Sequence, residues 1–162
     1  MTAPKPSAGK KAGIATAAVL ALSIPLAVKW EGVKTVAYLD PIGITTWCVG
    51  QTGPGVRVGD RFSEQECFRQ LDVTQRQKAE ELDRCIHQPL APHEAAAILD
   101  LAFNVGTGPV CRSTLVRMVN EGRPAAEWCP QLDRWVYAGG VRWRGLANRR
   151  ADARRMCEGR GP

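Results

Sequence analysis

The sequence predicts an α+β fold, mostly α, in which a small antiparallel β lobe precedes a larger helical lobe and a cleft lies between the two. Three observations carry this. Residues 36–60 are rich in strand-forming side chains and broken up by Gly and Pro. From Ser63 onward, apolar residues recur at helical spacing. An uncharged apolar run, residues 13–28, stands apart from both.

In the β region, Val36, Tyr38, Ile42, Ile44, Thr45, Thr46, Trp47 and Val49 favour strands. Pro41, Gly43, Gly50, Gly53, Pro54, Gly55 and Gly59 supply the turns. Ser63-Glu64-Gln65-Glu66 reads as a capping box, with Cys67, Phe68 and Leu71 following on one helical face. A second helix begins near Pro92 and runs through Ala95, Ile98, Leu99, Ala102 and Phe103 to Asn104 and Gly106. A third starts near Ser113 and stops at Gly122. A fourth covers about 124–136, bent by Pro130, and a last covers about 146–157. The helical lobe therefore spans about 63–158. No internal repeat is present.

The net charge of +6 is unevenly placed. Residues 1–30 carry Lys5, Lys10, Lys11 and Lys29 and no acid, whereas residues 131–162 carry eight Arg against three acids. A basic tail of that kind meets anionic polymers or is a solvated helix face. No nucleic-acid-binding motif accompanies it, so nucleic acid is not an expected partner. The only histidines, His87 and His93, read as solvated loop or helix-start residues. Cysteine and histidine do not cluster at metal-ligand spacing, so neither a metal nor a cofactor is expected. Cys48, Cys67, Cys85, Cys111, Cys129 and Cys157 are an even set in a small domain. They fit three disulfides in an oxidising compartment, with fifteen pairings open. Buried free thiols are the competing reading.

Residues 1–12 are polar and basic, and 13–28 (GIATAAVLALSIPLAV) carry no charge. A basic flank before an apolar run is an export signal with the flank left on the cytoplasmic side. The rest of the chain, 29–162, is then expected in the periplasm, tethered at first to the inner membrane through 13–28. The run falls short of the roughly 20 residues of a comfortable span. A weak anchor that later leaves the bilayer is favoured over a cleaved signal peptide, because no A-x-A site ends the run and cutting near Ala27 would remove the helix leading to Glu31. A permanent anchor is the third reading.

The chemistry-bearing stretch is 30–53, WEGVKTVAYLDPIGITTWCVGQTG. Glu31 ends an apolar stretch, Asp40 lies at the Pro41/Gly43 turn, and Thr46 lies on the strand after it. Glycoside hydrolysis needs a protonated acid at the leaving oxygen and a carboxylate across the sugar. An apolar helix end suits the first and a solvated turn suits the second. Taken alone, two carboxylates at this spacing better fit a structural Glu at a helix end and a structural Asp at a turn.

E-x8-D-x5-T, with Gly after the Glu and Gly three residues after the Asp, resembles the active-site motif of the phage-type lysozymes, glycoside hydrolase family twenty-four. FNVGTGPVCRSTLVRMVNEG (103–122) resembles that family's FN-x-G helix end and S-T-L helix. LDRWVYAGGVRWRGLANRR (132–150) resembles its W-x-Y-A-G-G loop and Arg-rich final helix. The resemblance covers about 30–158 and implies a lysozyme-like fold with 29–162 as the catalytic domain. It implies an endolysin, a muramidase that cleaves the β-1,4 bond between N-acetylmuramic acid and N-acetylglucosamine in peptidoglycan, with inversion, to lyse the host. Glu31 would protonate the glycosidic oxygen, Asp40 would activate the attacking water, and Thr46 would hold it. Thr45 is the neighbouring alternative, expected to face the other side of the strand.

Phe103, Asn104, Tyr137 and Trp143 are candidate substrate contacts, although the core is the favoured place for Phe103, as for Trp135. Arg149 or Arg150 would reach Glu31 across the lobes, with a plain surface salt bridge as an equal alternative. By the same resemblance the pairs Cys48–Cys67, Cys85–Cys111 and Cys129–Cys157 would form, no cofactor is needed, and the protein would act as a monomer. The chain departs from the family at Gly50-Gln51-Thr52, where Gly-His-Thr is common, which puts local packing in question. The N-terminus resembles that of signal-anchor-release endolysins. Two other functions compete: a lytic transglycosylase, against which the Asp40/Thr46 pair argues, and a cationic membrane-tethered wall-binding or pore-forming protein.

Overall fold

The computed structural model describes residues 13–161. The basic tail read at 1–12 lies outside them. The apolar run becomes α1 (Ala17–Glu31), with Thr16 accepting from the Val19 N–H as its N-cap. The sequence explains how so apolar a helix lies on a protein surface. Its large side chains Val19, Leu20 and Leu26 are buried, whereas Ala17, Ala18, Ala21 and Pro25 face solvent. Pro25 cannot donate to the Ala21 carbonyl one turn back, and exposure leaves that carbonyl to water. Among the described residues no helix is long and apolar enough to cross a membrane.

The β lobe is a three-stranded antiparallel sheet in the order β1-β2-β3, built from β1 (Lys34–Leu39), β2 (Thr45–Cys48) and β3 (Gln51–Thr52). Tyr38 pairs with Thr46 and Leu39 with Thr45. The strands begin two residues before the predicted 36. The stretch 53–60 contributes none, because its Gly- and Pro-rich sequence turns instead, and only Val36 bridges to Arg61 beyond it. The β2–β3 turn requires a positive φ at Cys48 (52°), uncommon for a side chain with a Cβ. Gln51 braces that turn by accepting from the Val49 N–H, at the position where the resembled family commonly has His.

The capping box at Ser63 is formed and heads α2 (Glu64–Asp83). This helix joins the two lobes. Cys67 packs with Ala37, Trp47 and Cys48 in the β lobe. Leu71 packs with Ala27 and Val49 at the junction, and Ala79 and Leu82 enter the main core. The next helix, α3 (Pro92–Val105), opens with Pro at its first position while Glu94 reaches back to the Ala91 N–H. Its residues 95–102 are all buried, which makes it the centre of the helical lobe.

Beyond α3 the structure departs from the sequence reading in detail. An unpredicted short helix, α4 (Thr107–Cys111), precedes α5 (Thr114–Asn120). The single bent helix expected over 124–136 is α6 (Ala125–Trp128) followed by a 3-10 helix, Cys129–Arg134. Pro130 lies in the first turn of the latter, where its missing N–H is harmless. The Gly139-Gly140 pair turns a hairpin, β4 (Tyr137–Ala138) to β5 (Val141–Arg142), with both glycines at positive φ. The last helix, α7 (Arg144–Cys157), starts two residues early. All three implied disulfides are present: Cys48–Cys67, Cys85–Cys111 and Cys129–Cys157.

Candidate active site

Glu31 is the last residue of α1, and Gly32 beyond it adopts φ 70°, which ends the helix and sends the chain into the β lobe. The half-buried Glu31 carboxylate therefore lies where the lobes meet. On one side is Gly50 of the β2–β3 turn, where a Cβ would lie 3.1 Å from Glu31 Oε2. Gly50 also has φ 69°, so the backbone favours glycine there, and a Cβ would press on the end of the Glu31 side chain. On the other side is a cleft of about 430 Å³ walled by Trp30, Glu31, Asn104, Ala138, Trp143 and Arg149, among others.

An ion cluster fixes this carboxylate from behind. Arg149 Nη1 donates to Glu31 Oε1 at 2.5 Å. The same guanidinium donates through Nε and Nη2 to the fully buried Asp100 at 3.0 and 2.7 Å. Burial disfavours the Arg149 charge, but hydrogen bonds and attraction to Asp100 and Glu31 outweigh this and hold its pKa above the ordinary arginine value. Arg150 is also buried. Its Nε donates to the Trp135 carbonyl, its Nη2 to Asn104 Oδ1, and Asp100 is 3.6 Å from its Nη1. Burial is the main cause pushing its pKa down to about 10; attraction to Asp100 opposes this and repulsion from Arg149 adds to it. Thus Arg149 contacts Glu31 and Arg150 does not, a choice the sequence left open.

Asp40 and Thr46 lie on the β lobe, off the wall of this cavity. Asp40 closes its turn with one oxygen: Oδ1 accepts from the Ile42 and Ile44 N–H groups at 3.0 and 2.8 Å. Both bonds fix the carboxylate's orientation. Thr46 is buried, and its hydroxyl donates to the Ile44 carbonyl at 3.2 Å, so the turn couples the two residues. Thr45 is half-buried and pairs with Leu39.

Of the other candidates, Asn104 and Trp143 line the cleft, and the exposed Trp143 ring is braced by its Nε1 donating to the Ala138 carbonyl at 3.2 Å. Phe103 packs with Ala27, Val49 and Leu71, and Trp135 packs on the main core. Tyr137 is exposed and off the cleft wall. Sequence reasoning missed Trp30, which lines the cleft beside Glu31, and Asp100, which orients Arg149. Asp100 carries one signal in the sequence: it is an acid inside the otherwise apolar run of α3. Among the described residues no group of His, Cys, Asp and Glu could hold a metal.

A family model described as phage lysozyme matches residues 28–153. The chain is 37% identical over 120 residues to the SAR-endolysin of Escherichia phage Mu, covering 74% of this chain and 69% of that protein. It is 37% identical over 147 residues to the SAR-endolysin of Pseudomonas phage phiKMV, covering 86% and 88%. The muramidase domain of SpmX from Asticaccaulis excentricus superposes with a TM-score of 0.76 at 25% identity, covering 91% of this chain and 98% of that one. The endolysin from Escherichia coli O157:H7 phage FAHEc1 shares the fold at 21% identity, with a TM-score of 0.78 over 91% and 95% of the two chains.

Proposed function

The chain belongs to the phage lysozyme family as a peptidoglycan-degrading endolysin, and from that premise we propose that it hydrolyses the β-1,4 bond between N-acetylmuramic acid and N-acetylglucosamine, acting as a monomer, with Glu31 as the general acid. The observation that carries this reading is the setting of Glu31. A single carboxylate faces the cleft, and it is held by a guanidinium that Asp100 in turn holds. Glu31 gives its proton to the leaving glycosidic oxygen. Asp40 orients and activates the attacking water, which Thr46 helps to hold. Attack from the face opposite the leaving group inverts the anomeric centre. Asn104 and Trp143, on the cleft wall, contact the sugar, the Trp ring by stacking and the amide by hydrogen bonding. No step calls for a cofactor.

The test is product analysis on purified peptidoglycan. The expected product carries a reducing N-acetylmuramic acid end, with the inverted anomer formed first in a proton NMR time course. A 1,6-anhydro sugar instead would make the protein a lytic transglycosylase and overturn the mechanism.

Residues 13–28 belong to the same proposal. They export the chain and tether it to the inner membrane, with 1–12 on the cytoplasmic side and the domain 29–162 in the periplasm. Release from the bilayer then lets the segment dock as α1. Two observations support this: the relatives above are SAR-endolysins by name, and α1 pairs an apolar sequence with a small-residue outer face. Tethered, Glu31 sits three residues from the bilayer and cannot take its place in the cleft. Replacing 13–28 with a strongly hydrophobic span is expected to trap the tether and delay lysis of expressing cells. Unchanged lysis timing would refute the tether.

A further inference from the structure

The place of Glu31 along the cleft depends on the register in which α1 lies on its neighbours. Apolar packing alone fixes that register weakly, because α1 is apolar nearly all round. A slip of one helical turn would move Glu31 by about 5.4 Å, out of reach of Arg149.

Ser23 on α1 and Gln75 on α2 are both fully buried. Neither Ser23 Oγ nor either side-chain polar atom of Gln75 has a hydrogen-bond partner among the described residues. Two contacts define how the helices run. At one end, the Ile14 N–H donates to both carboxylate oxygens of Asp83, at 3.1 and 3.0 Å. At the other, Ala27 shares a buried cluster with Leu71. The helices are therefore antiparallel. Ser23 lies one turn before Ala27, and Gln75 one turn after Leu71, so the two polar side chains fall at the same level.

We propose that Ser23 and Gln75 are positioning residues for the hydrolysis. Their hydroxyl and amide are bridged across the α1–α2 interface by one buried water, and the bridge holds α1 in the register that sets Glu31 beside Arg149. The physics is selection against wrong registers. Sliding α1 by a turn either way would set Gln75 against Val19, Leu20 or Ala27 and bury its amide unsatisfied, the costly case for a polar group. Asp83 closes the same register at the N-terminal end. The inference rests on Glu31 as the acid.

The test is a double-mutant cycle with Ser23→Ala and Gln75→Leu in the purified protein, read by thermal unfolding and by kcat and KM on soluble peptidoglycan fragments. Ser23→Ala is expected to lower Tm and to reduce kcat about tenfold through misplacement of Glu31, with KM within about twofold. The double variant is expected to regain Tm, since both polar partners are gone, while kcat stays low because nothing selects the register. Additive Tm effects would mean the two residues do not pair. A kcat that recovers along with Tm would make the pair merely structural. Either result overturns the proposal. Glu31→Gln measured alongside separates the readings: if it stays active the acid assignment fails, and if it is inactive while the cycle is additive only the positioning pair fails.

Discussion

Glu31→Gln is expected to lower the rate of peptidoglycan hydrolysis by about 10²–10⁴-fold, the usual worth of a positioned general acid. The amide fills the volume of the carboxyl and can still accept from Arg149, but it has no proton to give the leaving oxygen. The fold should survive. Arg149 keeps its two hydrogen bonds to Asp100, and the charge removed lies at the half-buried, cleft-facing end of the cluster, where water can compensate it, and not at the fully buried Asp100. Circular dichroism and Tm should therefore change little while turbidity clearance of purified cell walls collapses. That contrast also separates hydrolysis from killing by a cationic pore-forming protein, which would not depend on this carboxyl. Near-parental wall cleavage by Glu31→Gln would refute the assignment.

Asp100→Ala should do the reverse and strike stability first. Asp100 is fully buried and serves two buried guanidinium groups, those of Arg149 and Arg150. The cluster holds two acids, Glu31 and Asp100, and two bases. Removing Asp100 leaves an uncompensated buried positive charge, a change that costs about 3–5 kcal/mol. Arg150 already titrates low because of its burial, and Asp100 is the leading influence opposing that shift. For a domain of this size the loss corresponds to a fall in Tm of roughly 10 °C. Activity should fall as well, because Arg149 loses the partner that aims it at Glu31. Thermal unfolding checks the first effect, and wall hydrolysis well below the new Tm checks the second. A Tm within 2 °C of the parent would mean that the cluster contributes nothing net.

The sequence by itself determined the local features. Ser63 and Glu66 contain the whole capping box, Pro92 and Gly106 bracket α3, and Gly122 stops the helix at Ser113, because each acts through backbone groups within a few residues of itself. It also determined the β-then-helix order and, through motif resemblance, the family and the three cysteine pairs. Tertiary structure decided what depends on residues far apart in the chain. Asp100 and Arg149 become partners only when α3 and α7 pack, and nothing in either local sequence distinguishes Arg149 from Arg150. Trp30 becomes a cleft residue only once α1 has docked. The apolar run suits a weak membrane segment by composition, and the same composition suits a buried helix with a small-residue outer face. Sequence hydropathy records what a side chain avoids. Only packing records what it finds, and here α1 finds α2 and α3, with Glu31 at its end.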